Sequence, residues 1–163
     1  MKHKKGFTLI ELLVVVAIMG LLASLAVVAL NNARARARDA RRLSDIKQIQ
    51  TALELYYLDK NEYPDPVSDT DHLIEGLCIG GDIGIGTCSA TETIYMRIIP
   101  SNPEPLNDGG AAACGTNPSV YTYEVSTSGD NNYSYHIRYC IGAKTGGIPL
   151  GHHYATPAGL VDE

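Results

Sequence analysis

The sequence has no tryptophan and a single phenylalanine, so its ten tyrosines supply almost all of its aromatic area. Tyrosine joins a large apolar ring to a polar tip, which suits half-exposed sheets and protein interfaces. Basic residues are scarce past Pro64, where Arg97, Arg138 and Lys144 stand against twelve Asp and Glu. A head of that sign is not the profile of a general nucleic-acid binder. No C-x-x-C pair occurs among the four cysteines, which argues against a zinc site. G-x-S-x-G, H-E-x-x-H and a cysteine with a histidine at catalytic spacing are all missing, so no catalytic residue and no enzyme are expected. Between Phe7 and Leu30 there is no basic residue at all, and the one acid is Glu11.

That last scarcity defines the chain's main feature. The run FTLIELLVVVAIMGLLASLAVVAL covers Phe7 to Leu30, 24 residues that are apolar almost throughout. At about 1.5 Å of rise per residue it is long enough to cross a hydrocarbon core of about 30 Å. It is too long for a secretory signal peptide, and the chain continues past it with helical character. Lys2, His3, Lys4 and Lys5 precede it and place the N-terminus in the cytoplasm. A second basic block follows, Arg34, Arg36, Arg38, Arg41 and Arg42, whose alternation with alanine favours helix and whose side chains can snorkel to lipid headgroups.

A carboxylate inside such a run is costly, by roughly 2.5–3.5 kcal/mol for Asp at a membrane centre and less toward the end where Glu11 lies. The run offers it no basic partner. The partner must come from another molecule or from a chain end made by cleavage. A cut between Gly6 and Phe7 would create such an end. The new α-amine of one chain could then pair with Glu11 of its neighbour and fix their axial register, a role that buried charges are known to serve.

These residues carry a resemblance. K-G-F-T-L-I-E-L-L-V-V-V-A-I-M-G, with its basic leader, Gly6, Phe7, Thr8, Leu9, Glu11 and Gly20, resembles the N-terminus of type IV pilins and pseudopilins. The resemblance implies cleavage after Gly6 by a prepilin peptidase and methylation of Phe7. It further implies polymerisation of identical subunits through their N-terminal helices, with Phe7 and Glu11 as the assembly contact. A motor and an inner-membrane assembly machinery are implied as partners, and the membrane itself before assembly. Many members of the family carry a proline late in the run, where this chain has Val28.

Beyond Asn31-Asn32, Leu43, Ile46, Ile49, Leu53 and Tyr56 recur at helical spacing and make one apolar stripe, with Asp39, Asp45, Lys47 and Glu54 off it. Pro64 and Pro66 end the pattern. The stretch from RARARDARR to LYYLDKNEYP resembles the stem-to-head helix of the major pseudopilins of type II secretion. Residues 65–118 read as loop, with a short helix or strand over 91–99 and a disulfide-closed surface loop between Cys78 and Cys88. SVYTYEV and NYSYHIRYCI alternate apolar and polar and flank the turn-rich STSGDNN, which makes a hairpin, and a third strand is expected near 151–156.

The chain therefore divides into a removed leader (1–6), a transmembrane and filament-core helix (7–30), its amphipathic continuation (31–62) and a head (63–163). The fold class is α+β: a long N-terminal helix packed on a small antiparallel sheet, the pilin fold. Cys78, Cys88, Cys114 and Cys140 all lie in the head, and an even number outside the cytoplasm suggests two disulfides. Three pairings stay open, and the one that joins sequence neighbours, 78–88 and 114–140, is favoured.

His152 and His153 are adjacent, so on a strand they point to opposite faces and do not chelate one ion. No metal residue and no cofactor is assigned. The resemblance to major pseudopilins implies an acidic calcium loop near the C-terminus, for which this chain has Ser128-Gly129-Asp130-Asn131-Asn132 and Asp162-Glu163; their oxygens are sparse for an ion that takes about six to eight, and Gly129–Asn132 reads as a turn. DNA is the remaining partner weighed for the arginine block. The functional expectation is a major pilin-like subunit of a type IV pilus, exposed from a single-pass cytoplasmic membrane protein into an extracellular or periplasmic filament. The alternatives are the major pseudopilin of a type II secretion system and a membrane-anchored binding domain that never polymerises.

Overall fold

The computed structural model describes residues 6–65, 77–81, 84–89, 91–104, 121–128, 131–143 and 145–162. Among these residues one helix, α1 (Leu9–Lys60), is followed by seven strands: β1 (Cys78–Gly80), β2 (Gly84–Gly86), β3 (Ile94–Met96), β4 (Thr122–Ser128), β5 (Asn131–Ile141), β6 (Gly151–Thr156) and β7 (Gly159–Asp162). The strands form two antiparallel sheets, β2-β1-β3 and the meander β4-β5-β6-β7. This is the expected α+β arrangement, a long helix with small antiparallel sheets.

The helix starts and stops where local chemistry dictates. Thr8 caps its first turn, as described below. At the other end Asn61 adopts a left-handed φ of 60° and donates its N–H to Tyr57 O at 2.8 Å. Asparagine tolerates that conformation, and it closes the last turn before Pro64 forbids another. Helix persists through Gly20 and Val28 without a break. Ser24 returns its hydroxyl to Leu21 O at 2.7 Å, the local bond that lets serine sit inside an apolar helix.

The chain divides into two compact units, Met1–Arg34 and Ala35–Glu163. The described residues of the first, from Gly6 to Arg34, are all exposed. The second unit takes in the helix from Ala35 onward. The reason is the stripe. Ile46, Ile49, Leu53 and Tyr56 are buried in one cluster with Tyr123, Tyr135, Ile137 and Ile141 from β4 and β5. The alternation places them there, since β4 and β5 pair with Tyr123 opposite Ile137 and Val125 opposite Tyr135. Ala155 continues that inner face opposite Ile137. Burying such side chains is worth roughly 1.5–3 kcal/mol each, which makes this half of α1 inseparable from the sheet.

Two expectations need correction. Ile79 and Ile85, facing each other across β1 and β2, are buried in the same cluster. The segment between Cys78 and Cys88 is therefore a core hairpin and not a surface loop. Its glycines permit this. Gly84 takes a φ of +77°, and a Cβ there would stand 3.2 Å from Pro64 Cβ. The second correction concerns Asp39 and Asp45, read as lying off the buried stripe. Their exposures are 0% and 5%. Asp39 ion-pairs with Arg42, itself 1% exposed, and accepts the N–H groups of Gly142 (3.1 Å) and Ala143 (2.7 Å). Arg42 in turn donates to Asn102 Oδ1 at 2.7 Å and Pro103 O at 3.0 Å. A buried charge survives only when paired and hydrogen-bonded, and both of these are.

Tyrosine replaces phenylalanine in this core because the rings reach the helix's acids. Tyr63 donates to Glu54 at 3.1 Å and Tyr135 to the same carboxylate at 3.4 Å. Tyr121 donates to Asp45 at 3.4 Å, Tyr123 to Pro64 O at 2.9 Å, and Tyr95 to Asp59. The rings pack on each other as well, Tyr63 edge-on to Tyr135 at 4.7 Å.

Candidate assembly site

The N-terminal residues singled out by sequence form a single local structure. Gly6, Phe7 and Thr8 precede the helix, and Phe7 is 83% exposed. Thr8 occupies the N-cap and Glu11 the third helical position. Glu11 Oε2 accepts both the Thr8 N–H and the Thr8 hydroxyl at 2.8 Å, and Glu11 N–H points back to Thr8 Oγ1 at 3.3 Å. This is a reciprocal capping box, which satisfies donors that a helix start otherwise leaves orphaned. The T-x-x-E spacing before an apolar run is its sequence signature. The run offers Glu11 no basic partner, and the structure adds a neutral one of its own, Thr8, in a role the sequence analysis does not assign it.

Glu11 is exposed, and with Phe7, Ile10, Val14 and Val15 it lines a shallow depression on the helix surface. Phe7 and Glu11 thus border the same patch of one chain. The rest of the helix to Leu30 offers almost wholly apolar side chains, long and apolar enough to cross a membrane. A Cβ at Gly20 would meet nothing within 4 Å, so the chain's own packing does not need glycine there.

The other candidate residues stay apart. Cys78 and Cys88 are joined in a disulfide, with their Cα atoms 5.9 Å apart. Cys140 is also disulfide-bonded, while Cys114 lies outside the described residues. His152 and His153 take opposite faces of β6 as alternation requires. His153 is buried, its Nε2 2.9 Å from Pro149 O and its ring against Tyr139, while His136 packs on Tyr154. Among the described residues no group of three or more His, Cys, Asp or Glu could hold a metal ion. Asp130 and Glu163, weighed for calcium, lie outside them. In the head, burial pushes the Asp45 carboxyl up from its ordinary value, the Arg41 charge and the Tyr121 hydroxyl pulling partly back.

An exposed apolar helix, capped by its own carboxylate, is long and apolar enough to anchor a protein by its N-terminus. Comparison with known proteins makes this specific. Residues 1–27 match the family model of the prokaryotic N-terminal methylation motif. A type II secretion system core protein G of Klebsiella pneumoniae is 32% identical over 63% of this chain and 71% of its own length. The core protein G of Aeromonas hydrophila is 40% identical over 45% of this chain and 51% of its own length, so the chain spans only about half of that relative. The type IV major fimbrial protein FimA of Dichelobacter nodosus is 47% identical over 38% of this chain and 40% of its own. No solved structure was found to match. The chain belongs to the pilin and pseudopilin superfamily.

Proposed function

We propose that this chain is a pseudopilin of a type II secretion system: a subunit cut after Gly6 by a prepilin peptidase, methylated on Phe7, and assembled with identical copies through α1. The observation that carries the assembly is Glu11, a lone carboxylate in the otherwise apolar, exposed run from Phe7 to Leu30, beside the Phe7 at which cleavage would free an amine. In a bundle of such helices the amine of one copy meets Glu11 of the next, and both charges leave lipid together. Repetition of one unlike pair of surfaces does not close on itself, which is the geometry of a fibre.

The choice of pseudopilin over type IV pilus rests on the extent of likeness. The core protein G relative of Klebsiella pneumoniae aligns over 63% of the chain and the fimbrial relative over 38%. The likeness therefore favours the pseudopilin over the type IV pilus subunit. The pilus reading keeps one support, the higher identity of 47% within that shorter match.

Shearing cells, pelleting the released material and measuring the N-terminal mass of this chain tests the proposal. The expected result is a chain beginning at methylated Phe7, with Glu11→Val still inserted and cut but at least tenfold poorer in filaments. Normal filaments from Glu11→Val would refute the pairing. An uncut chain confined to membranes would leave only an anchored domain. Deleting the gene should abolish export of folded proteins, whereas loss of surface pili with export intact would return the chain to the pilus reading.

A further inference from the structure

The two sulfurs of the Cys78–Cys88 bridge are unequal. Cys78 is 4% exposed, opens a strand whose Ile79 is in the core, and keeps its Sγ 3.1 Å from Gly86 O. Cys88 lies past the end of β2 and is only half-buried. A disulfide opens when a thiolate attacks one sulfur and expels the other. Of the two residues Cys88 is the one that solvent reaches, so attack falls there and Cys78 is the leaving group. A carboxylate stands beside that sulfur. A Cβ added at Gly80 would lie 2.8 Å from Cys88 Sγ and 2.5 Å from Glu92 Oε2, so glycine leaves a small space that sulfur and carboxylate share. Ser89 N–H donates to Glu92 Oε1 and holds the carboxylate in place, and Ser89 follows Cys88 directly. By sequence, residues 77–96 hold Asp82 and Glu92 and no basic residue. Lys60 comes by the adjoining glycine, its Cε 3.5 Å from a Cβ added at Gly81.

We propose that Cys88 Sγ is the thiol-exchange site of this bridge and that Glu92 selects there against anionic thiols. In the exchange a thiolate sulfur bonds to Cys88 Sγ, and the bond between Cys88 and Cys78 breaks. Its electron pair leaves on Cys78 Sγ, which then takes a proton from water. The incoming thiol is oxidised, Cys78 is reduced, and Cys88 carries the mixed disulfide. The attacking species is a thiolate in every case, so Glu92 repels all of them. It repels most a thiolate with a second negative group and least one that also carries an ammonium. Two unit charges about 6 Å apart in water interact strongly enough to change a rate about threefold, and more where protein partly replaces the water. The departing Cys78 thiolate is disfavoured as well, because it forms among buried apolar side chains. The bridge is thus shielded most from anionic thiols and stays open to a cationic one.

The full chain in mild detergent tests this, with 2-aminoethanethiol, 2-mercaptoethanol and 2-mercaptoethanesulfonate as cationic, neutral and anionic probes. Rate constants per thiolate are measured by acid quench and mass spectrometry, and peptide mapping locates the first adduct. The expected adduct is on Cys88, with rates that rise in proportion to thiol and fall in the order cationic, neutral, anionic. Glu92→Gln keeps an oxygen for Ser89 N–H and should narrow the ratio of cationic to anionic rates by about threefold, and Glu92→Lys by about tenfold. Lys60 is common to all three chains, so it does not enter the comparison. A ratio unchanged in both variants would overturn the selection by Glu92. A first adduct on Cys78 would overturn the site. Rates that are equal for the three thiols in the wild-type chain and level off with concentration would show a bridge that opens only by unfolding, and would overturn both.

Discussion

Asp39→Ala should unfold the head far more readily than an ordinary substitution on the helix. The carboxylate is fully buried and carries three donors: Arg42, Gly142 N–H and Ala143 N–H. Removing one member of a buried ion pair leaves the other charge stranded, at about 3–5 kcal/mol. The two amides lose their acceptor as well, each worth about 1–3 kcal/mol if it stays dry. These terms overlap, and an expected loss of about 4 kcal/mol is the conservative reading. At about 4 °C per kcal/mol for a domain of this size, the melting midpoint should fall by about 15 °C. The assay is thermal and urea unfolding of the full chain in mild detergent, followed by near-ultraviolet circular dichroism. All ten tyrosines lie from Tyr56 to Tyr154, so that signal reports the head alone. Asp39→Leu/Arg42→Met, which strands no charge, should lose less than Arg42→Met and Asp39→Leu added together, giving a coupling of several kcal/mol in a double-mutant cycle. A loss below about 1 kcal/mol for Asp39→Ala, or strict additivity in the cycle, would refute the reasoning.

Asp45→Asn should raise stability at pH 7 by under about 1 kcal/mol and leave it unchanged at pH 3. The folded-state carboxyl titrates above the ordinary 3.8, so the native chain loses stability as pH climbs from 3.8 through the folded value, and an amide has no proton to lose. Melting curves across that range check it. Cys78→Ser/Cys88→Ser should cost about 2–3 kcal/mol, the entropy of the short loop that the bridge closes, and urea unfolding measures it. In alkali, Tyr63, Tyr121, Tyr123 and Tyr135 should ionise only as the head unfolds. Burial, aided by Glu54 beside Tyr63 and Tyr135 and by Asp45 beside Tyr121, holds these phenols above their ordinary value. The folded state keeps those protons more tightly, so stability falls as pH rises past about 10. Tyrosinate absorbance should therefore step up together with loss of dichroism, and smooth titration of a folded head would contradict this.

What could be read from the sequence was whatever repeats with a period. The helix from the apolar run to Lys60, the stripe from Ile46 to Tyr56, and the β4–β5 hairpin with its inward Tyr123, Tyr135 and Ile137 all follow from spacings of about 3.6 or 2. β6 falls at 151–156, where a third strand is expected. Short glycine-bounded strands have no period to detect, so the hairpin at Ile79 and Ile85 read as loop, and β7 at Gly159–Asp162 went unseen. Burial of Asp39 and Asp45 was hidden because it depends on partners about 60 to 100 residues away, Asn102, Tyr121 and the Gly142–Ala143 amides. At the candidate site Glu11 stands out in composition as the one acid of an apolar run, and Gly6 and Phe7 through the motif around it. Thr8 is legible there as the T-x-x-E of a capping box.

That capping box changes what kind of event the Glu11 contact is. A free subunit already has its carboxylate engaged by two Thr8 donors at 2.8 Å. Both bonds end on Oε2, so Oε1 keeps its lone pairs, and on the proposed pairing an incoming amine need not displace either bond. The box instead holds the carboxylate in one orientation before a neighbour arrives, so the pairing spends little side-chain freedom. Glu11 then acts as a detent that tells a sliding helix where to stop, with its catch set in advance by Thr8.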